Sequence, residues 1–153
     1  MIIRKAECRD IGFLYDLRNE QSVREASWNS NVVDCDTHFM WFDSVLKNPN
    51  RTLYILDVDG VPVGQVRYDT DEDNAEVSIS IASKFHGKGY ATEGLKKSVE
   101  AFFLKTPEVK TIFAHIKPSN LASIKAFTKA GYLTNGIVRF QGHDCVFMTF
   151  ARP

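Results

Sequence analysis

The spacing of apolar residues along the chain changes period several times, and each change marks an element. The opening MIIRKA is short and apolar enough for a strand. Asp10 then stands as a helix cap ahead of Ile11, Leu14 and Leu17, whose three-residue spacing predicts a helix over residues 10–19. Asp36 is the expected cap of a second helix, with Phe39, Phe42, Val45 and Leu46 on one face and the stretch NPNR ending it. His38 and Trp41 share a side of that helix. Alternation takes over next. Residues 52–58 and 61–69 read as a hairpin about Asp59-Gly60, and residues 75–82 as a third consecutive strand. In that strand Val77, Ile79 and Ile81 point one way, and Glu76, Ser78 and Ser80 the other.

Helical spacing returns at Ala91, Leu95, Val99, Phe102 and Phe103. KTIFAHI is the next strand. Pro118-Ser119-Asn120 opens another helix with Ile124 and Phe127 inward and Gly131 at its C-terminal end. Residues 137–141 and 144–151, joined through Gly142, make a closing hairpin. The order β-α-α-β-β-β-α-β-α-β-β predicts an α/β (α+β) protein, a mixed sheet with helices on both faces, in one domain over residues 1–153.

Composition narrows the function classes. The chain has 19 Lys plus Arg against 19 Asp plus Glu, so no overall field attracts nucleic acid or an anionic membrane. MIIRKAECRD lacks the apolar core of a signal peptide, and no apolar run reaches the roughly 18 residues a spanning helix needs, so a cytoplasmic protein is expected. Cys8, Cys35 and Cys145 are odd in number and far apart, which suits reduced thiols better than disulfides or a zinc site; no metal is expected.

The chemistry concentrates in SKFHGKGYATEG, residues 83–94, where glycines precede a helix. A loop without side chains at a helix N-terminus lets main-chain N–H groups converge on phosphate. A P-loop would need Ser or Thr after Gly-Lys, but Gly89 follows Lys88; a dinucleotide loop would need a glycine at position 92, which is Thr92. A purely structural turn also fits the stretch taken alone.

In its context the stretch resembles the pyrophosphate loop of the GNAT acetyltransferase superfamily. The pattern Gln/Arg-x-x-Gly-x-Gly/Ala falls on Lys84, Gly87 and Gly89, with Lys for the usual first residue. A second signature, Asn-x-x-Ala/Ser ahead of a helix ending in Gly-Phe/Tyr, appears as Asn120, Ser123, Gly131 and Tyr132. The resemblance spans essentially the whole chain and implies acetyl-CoA as the acetyl donor. It places the diphosphate on the amides of His86, Gly87, Lys88, Gly89, Tyr90 and Ala91, and the pantetheine arm near Asn120 and Ser123. The thioester would lie where the central strand ends, at Ile79, Ile81 and Ala82, with a main-chain N–H near Ile81 meeting the oxyanion.

An ammonium with a pKa of about 10 must lose a proton before it attacks a thioester. Glu76, on the polar side of the central strand, is the candidate base; a solvated strand-edge glutamate is the plainer reading. In many members of the superfamily a Tyr seven residues after the motif Asn protonates the leaving thiolate, and that position here is Phe127.

On the acceptor side, LYDLRNEQSVREASWNS, DTHFMWF and PVGQVRYD resemble the branch that acetylates nucleotide-linked 4-amino-4,6-dideoxy sugars of the pseudaminic type. The carried-over positions are Arg18, Asn19, Arg24, Ser27, His38, Trp41, Phe42, Gly64 and Arg67. Arginines hold diphosphate oxygens in pairs, aromatic rings stack on bases or sugars, and His or Asn bonds hydroxyls. Trp41 and Phe42 read equally as core, His38 as a satisfied helix-face residue, and Arg18 and Arg24 as surface charges. A UDP-linked amino sugar is therefore the expected acceptor, with acetylation of protein N-termini or a non-catalytic acyl-CoA sensor as alternatives. The final hairpin is a surface where a second copy could pair.

Overall fold

Seven strands pair into one sheet in the order β1-β2-β3-β4-β5-β7-β6 in this computed structural model, which describes residues 1–153. The elements are β1 (Ile2–Lys5), α1 (Ile11–Asn19), α2 (Gln21–Ala26), α3 (Cys35–Lys47), β2 (Arg51–Val58), β3 (Val61–Asp71), β4 (Asn74–Ile81), α4 (Tyr90–Lys105), β5 (Thr111–Ile116), α5 (Leu121–Lys129), β6 (Leu133–Phe140) and β7 (His143–Ala151). The mixed sheet with helices on both faces agrees with the apolar pattern. No helix is long and apolar enough to cross a membrane.

Period-two alternation sorts β2 between two cores. Tyr54 and Leu56 pack with Val66, Tyr68 and Val77 under Leu95, Val99 and Phe102 of α4. Leu53 and Ile55 turn the other way onto Leu14 of α1 and Phe42 and Val45 of α3. A fully buried side chain of this size stabilises by about 1.5–3 kcal/mol, so these two layers hold the helices to the sheet. Tyr68 lies flat on Phe102, ring centroids 4.1 Å apart, and its hydroxyl pairs with Ser98 Oγ at 2.8 Å.

Local details depart from expectation in four places. α2, over QSVREA, is absent from the sequence-based order; it is short and buries only Val23, so no periodicity announces it. α3 is capped by Asp34, whose Oδ1 accepts the Thr37 N–H at 2.8 Å, with Asp36 inside the first turn. Its buried stripe is His38, Phe42 and Val45, while Phe39 and Leu46 are exposed. Asp10 does not cap α1 through its side chain. Its buried carboxylate instead takes both Arg4 guanidinium nitrogens, at 2.8 and 2.7 Å, and the Glu7 N–H at 2.8 Å. Burial opposes the charge on Asp10, but these bonds outweigh it and hold the carboxyl below its ordinary range. β6 begins earlier than the apolar run at Ile137, with a register shift where Gly136 takes a positive φ of 93°. The three cysteines are free; Cys8 and Cys35 are exposed and Cys145 is buried.

One feature of the sheet makes the site. β4 and β5 run parallel but pair only at Asn74–Thr111, Ala75–Ile112 and Glu76–Phe113. Past Glu76, β4 stays with β3 as far as Ile81, and β5 stays with β7 as far as Ile116. Each strand follows a different neighbour, so a gap opens between them.

Candidate active site

The gap is the floor of a cleft of about 490 Å3. Val77 to Ser80 of β4 and Ala114 to Ile116 of β5 form the floor, and Asn120, Ser123 and Phe127 of α5 line one end. Arg18, Ser27, His38 and Trp41 line the cleft further along with Gln65, Arg67 and Asp69 of β3, while Trp28 packs on Phe140 and under Lys117, and Phe140 and Gln141 reach over from the β6–β7 turn.

Glu76 sits at the fork itself. Its Oε1 is 3.0 Å from Nδ1 of His115, and its side chain is 34% exposed into the cleft. His115 stacks on Phe140, with centroids 4.0 Å apart and planes within 12°. Neither His115 nor Asp69, Trp28, Lys117 and Phe140 was picked out by sequence reasoning. The only signal for His115 was its alternation with Phe113 in KTIFAHI, because the carboxylate it meets lies 39 residues earlier.

The far end of the cleft is rich in cations and unsatisfied polar atoms. Arg18 gives Nη2 to the Asn29 carbonyl at 2.8 Å, while its Nη1 is buried without a hydrogen-bond partner. Burial, then the nearby charges of Arg24 and Arg67, push the Arg18 guanidinium below its ordinary pKa. Arg67 pairs with Asp69 through Nε at 3.0 Å and lies over the Trp41 ring at 5.7 Å. His38 Nε2, Gln65 Oε1 and Asp69 Oδ1 are also buried without hydrogen bonds, although Asp69 Oδ1 lies 3.3 Å from the Arg51 Nε. Burial above all, with Arg18 nearby, lowers the pKa of His38 against the opposing effect of a backbone hydrogen bond at Ile11.

Several residues expected on the acceptor side lie elsewhere. Asn19 does not line the cleft; its amide clamps Val33 at the cleft's edge, donating to the carbonyl at 2.9 Å and accepting the N–H at 2.8 Å. Arg24 braces the same loop through the Asn19 and Ser30 carbonyls and does not line the cleft. Phe42 belongs to the core beneath α1. Gly64 is a packing position: a Cβ there would run into the main-chain oxygen of Ser80 and the side chain of Ile81. Ser27, His38, Trp41, Arg18 and Arg67 do converge.

On the opposite side, Ile79 borders the cleft, whereas the side chains of Ile81 and Ala82 are buried outside it. The glycine loop continues from there. His86 anchors it by a ring contact from Nε2 to the Ile81 carbonyl at 2.8 Å. Gly87 and Gly89 hold φ of 77° and 79°, the left-handed region glycine tolerates best. α4 starts immediately afterwards, and its ladder begins with Glu93 N–H to the Gly89 carbonyl at 3.1 Å, so the amides of Tyr90, Ala91 and Thr92 face outward from the first turn. Lys84 and Lys88 flank the loop around Phe85. Asn120 caps α5 through the Ser123 N–H at 3.2 Å, and both residues border the cleft. Phe127 turns its ring edge on to Tyr132 and brings no hydroxyl.

A sheet split by two parallel strands, with bare helix-start amides beyond one lip and a carboxylate at the fork, defines an acyl-transfer enzyme rather than a binding module. The sequence matches the acetyltransferase (GNAT) domain over residues 1–133, and the chain belongs to that family of N-acetyltransferases. It is 26% identical over 159 aligned positions to the aminoglycoside N(6')-acetyltransferase type 1 of Klebsiella pneumoniae, covering 94% of this chain and 79% of that protein. A solved aminoglycoside acetyltransferase, AAC(6')-Ib with coenzyme A and kanamycin, superposes with a TM-score of 0.82 at 26% identity over 98% of this chain and 94% of that one. The spermidine N-acetyltransferase of Vibrio cholerae, with CoA and spermine, shares the fold at a TM-score of 0.85 and 17% identity, over 98% of this chain and 94% of that one. The family therefore stands as expected. The aminoglycoside and spermidine acetyltransferases among these relatives are named for other acceptors, so they lend the nucleotide-sugar branch no support.

Proposed function

We propose that this protein transfers the acetyl group of acetyl-CoA to the primary amine of an amino sugar bearing an anionic group, with a UDP-linked amino-dideoxy sugar as acceptor. The observation that carries this is the buried, unpartnered Nη1 of Arg18 in the cleft beside Arg67. A buried donor on a charged group without a partner costs more than the 1–3 kcal/mol or so of a neutral one, and an anionic ligand would relieve that cost. Arg18, Arg67 and Lys117 outnumber the carboxylates Asp69 and Glu76 in the cleft lining, an arrangement that disfavours a polycation. His38 Nε2 and Gln65 Oε1 are free to bond sugar hydroxyls.

Acetyl-CoA lies with its diphosphate on the amides of residues 86–91 and its pantetheine arm past Asn120 and Ser123 into the gap. Glu76 takes the proton of the acceptor ammonium, and the freed amine attacks the thioester carbonyl. The Ala82 N–H is spent on the Val63 carbonyl at 2.9 Å, so strand alternation turns the Ile81 N–H toward the gap, where it meets the oxyanion. Collapse of the intermediate breaks the C–S bond and expels a thiolate whose conjugate thiol has a pKa of about 8.5; the second proton, shed by the nitrogen as it becomes the amide, neutralises that sulfur, so little further acid assistance is needed and Phe127 is tolerated. Residues 1–153 act as one cytoplasmic domain, and the edge strand β6, with Leu133 and Ile137 exposed, is where a second copy would pair.

An acceptor panel tests the reading. With acetyl-CoA and thiol release as readout, a UDP-linked 4-amino sugar is expected to give the highest kcat/KM, above kanamycin and a peptide N-terminus. An aminoglycoside acceptor is the second reading, favoured by the likeness to the Klebsiella enzyme. Faster turnover of kanamycin would establish it and overturn the first.

A further inference from the structure

We propose that His115 is a positioning residue for the reaction: its Nδ1–H holds Oε1 of Glu76, leaving Oε2 aimed at the acceptor amine. The inference rests on Glu76 being the base that the reading above makes it.

A glutamate side chain on a strand facing a wide cleft has rotamer freedom that scatters its carboxylate, and a base must lie within hydrogen-bond reach of the proton it removes. Two parts of the fold remove that freedom here. The β4–β5 register stops at Glu76–Phe113, so His115, two residues further along β5 and on the same face as Phe113, stands beside the opening gap. From there Nδ1 reaches Oε1 at 3.0 Å. The imidazole is itself immobilised, lying flat on Phe140 at 4.0 Å with Phe147 at 5.3 Å and Phe113 at 5.5 Å around it. Its side chain is 12% exposed against 34% for Glu76, so the imidazole is fixed in the wall and the carboxylate reaches into the cleft. Oε2 makes no hydrogen bond within the protein, which leaves it for the substrate.

The tautomer follows from the contact. A carboxylate only accepts, so the bond requires the proton on Nδ1, whereas Nε2 makes no protein hydrogen bond. A hydrogen bond to a charged group corresponds to roughly a tenfold effect or more, which sets the scale of the test.

Three variants and one spectrum separate this role from mere packing. His115→Phe preserves the ring stack and removes the donor. His115→Asn loses the stack but places an amide N–H near the position of Nδ1. With the acceptor selected by the panel above, His115→Phe is expected to lower kcat at least tenfold while the KM for acetyl-CoA stays within twofold, and His115→Asn to recover most of the loss. Glu76→Gln tests the base separately: retained turnover overturns that reading, whereas a collapse in Glu76→Gln with normal kcat in His115→Phe overturns only the positioning role. 15N NMR of the histidine rings needs no acceptor. The Nδ1–H form of His115 is expected in the native protein; an Nε2–H form there would overturn the proposal whatever the kinetics show.

Discussion

Replacing Arg18 by glutamine tests whether the cleft is built for an anion. In the folded protein one guanidinium nitrogen is committed to the Asn29 carbonyl at 2.8 Å, and Nη1 is buried and unpaired. If Nη1 bonds an acceptor phosphate or carboxylate, its loss removes one charge-assisted hydrogen bond, worth about 1.5–3 kcal/mol. At about 1.4 kcal/mol per decade, kcat/KM for a UDP-linked amino sugar falls about 10- to 150-fold. Stability changes little. The bond to Asn29 is lost at about 1 kcal/mol, but a desolvated cation flanked by Arg24 and Arg67 is removed as well. Kanamycin, a polycation, is expected to lose nothing and to gain from the lower positive charge. The assay is initial-rate thiol release with both acceptors on both proteins, with thermal melts as control. An equal loss for the two acceptors would refute the argument and leave Arg18 as a brace for the loop at Asn29.

Two further substitutions address the donor loop and the N-terminal ion pair. At Gly89, φ is 79° and an added Cβ would meet nothing within 4 Å, so Gly89→Ala costs only backbone strain, about 1–2 kcal/mol. The loop relaxes away from this conformation, and isothermal titration is expected to show coenzyme A binding weakened about 5- to 30-fold, with acceptor KM unchanged. Asp10→Asn removes the charged acceptor of a half-buried pair while Arg4 keeps Asp57 at 3.5 Å, and is expected to cost about 1.5–3 kcal/mol in denaturant unfolding. The folded Asp10 carboxyl titrates below its ordinary pKa of 3.8, so the unfolded chain binds more protons around that pH. Its stabilisation is present in full above the ordinary value and is lost as pH falls toward the lower folded one; the variant lacks that acid-sensitive component.

Residues close in sequence account for most of what was legible before folding. Alternation at Tyr54, Leu56, Leu53 and Ile55, three- and four-residue spacing in α4, and the glycines at 87 and 89 each determine local backbone preference through side-chain period or φ, so the strands, the longer helices and the glycine turn ahead of α4 could be read directly, while the short α2 could not. Only the tertiary structure decided which of the residues expected on the acceptor side converge. Arg18 and Arg67 meet in the cleft while Asn19 and Arg24, from the same helical region, turn to brace a loop, because a side chain's direction depends on the packing of α1 and α3 on the sheet. The Glu76–His115 contact is decided by the register at which β4 and β5 part, and that register results from β3 and β7 each keeping one strand. Such competition between partners far apart in the chain has no local period, so no window of sequence contains it.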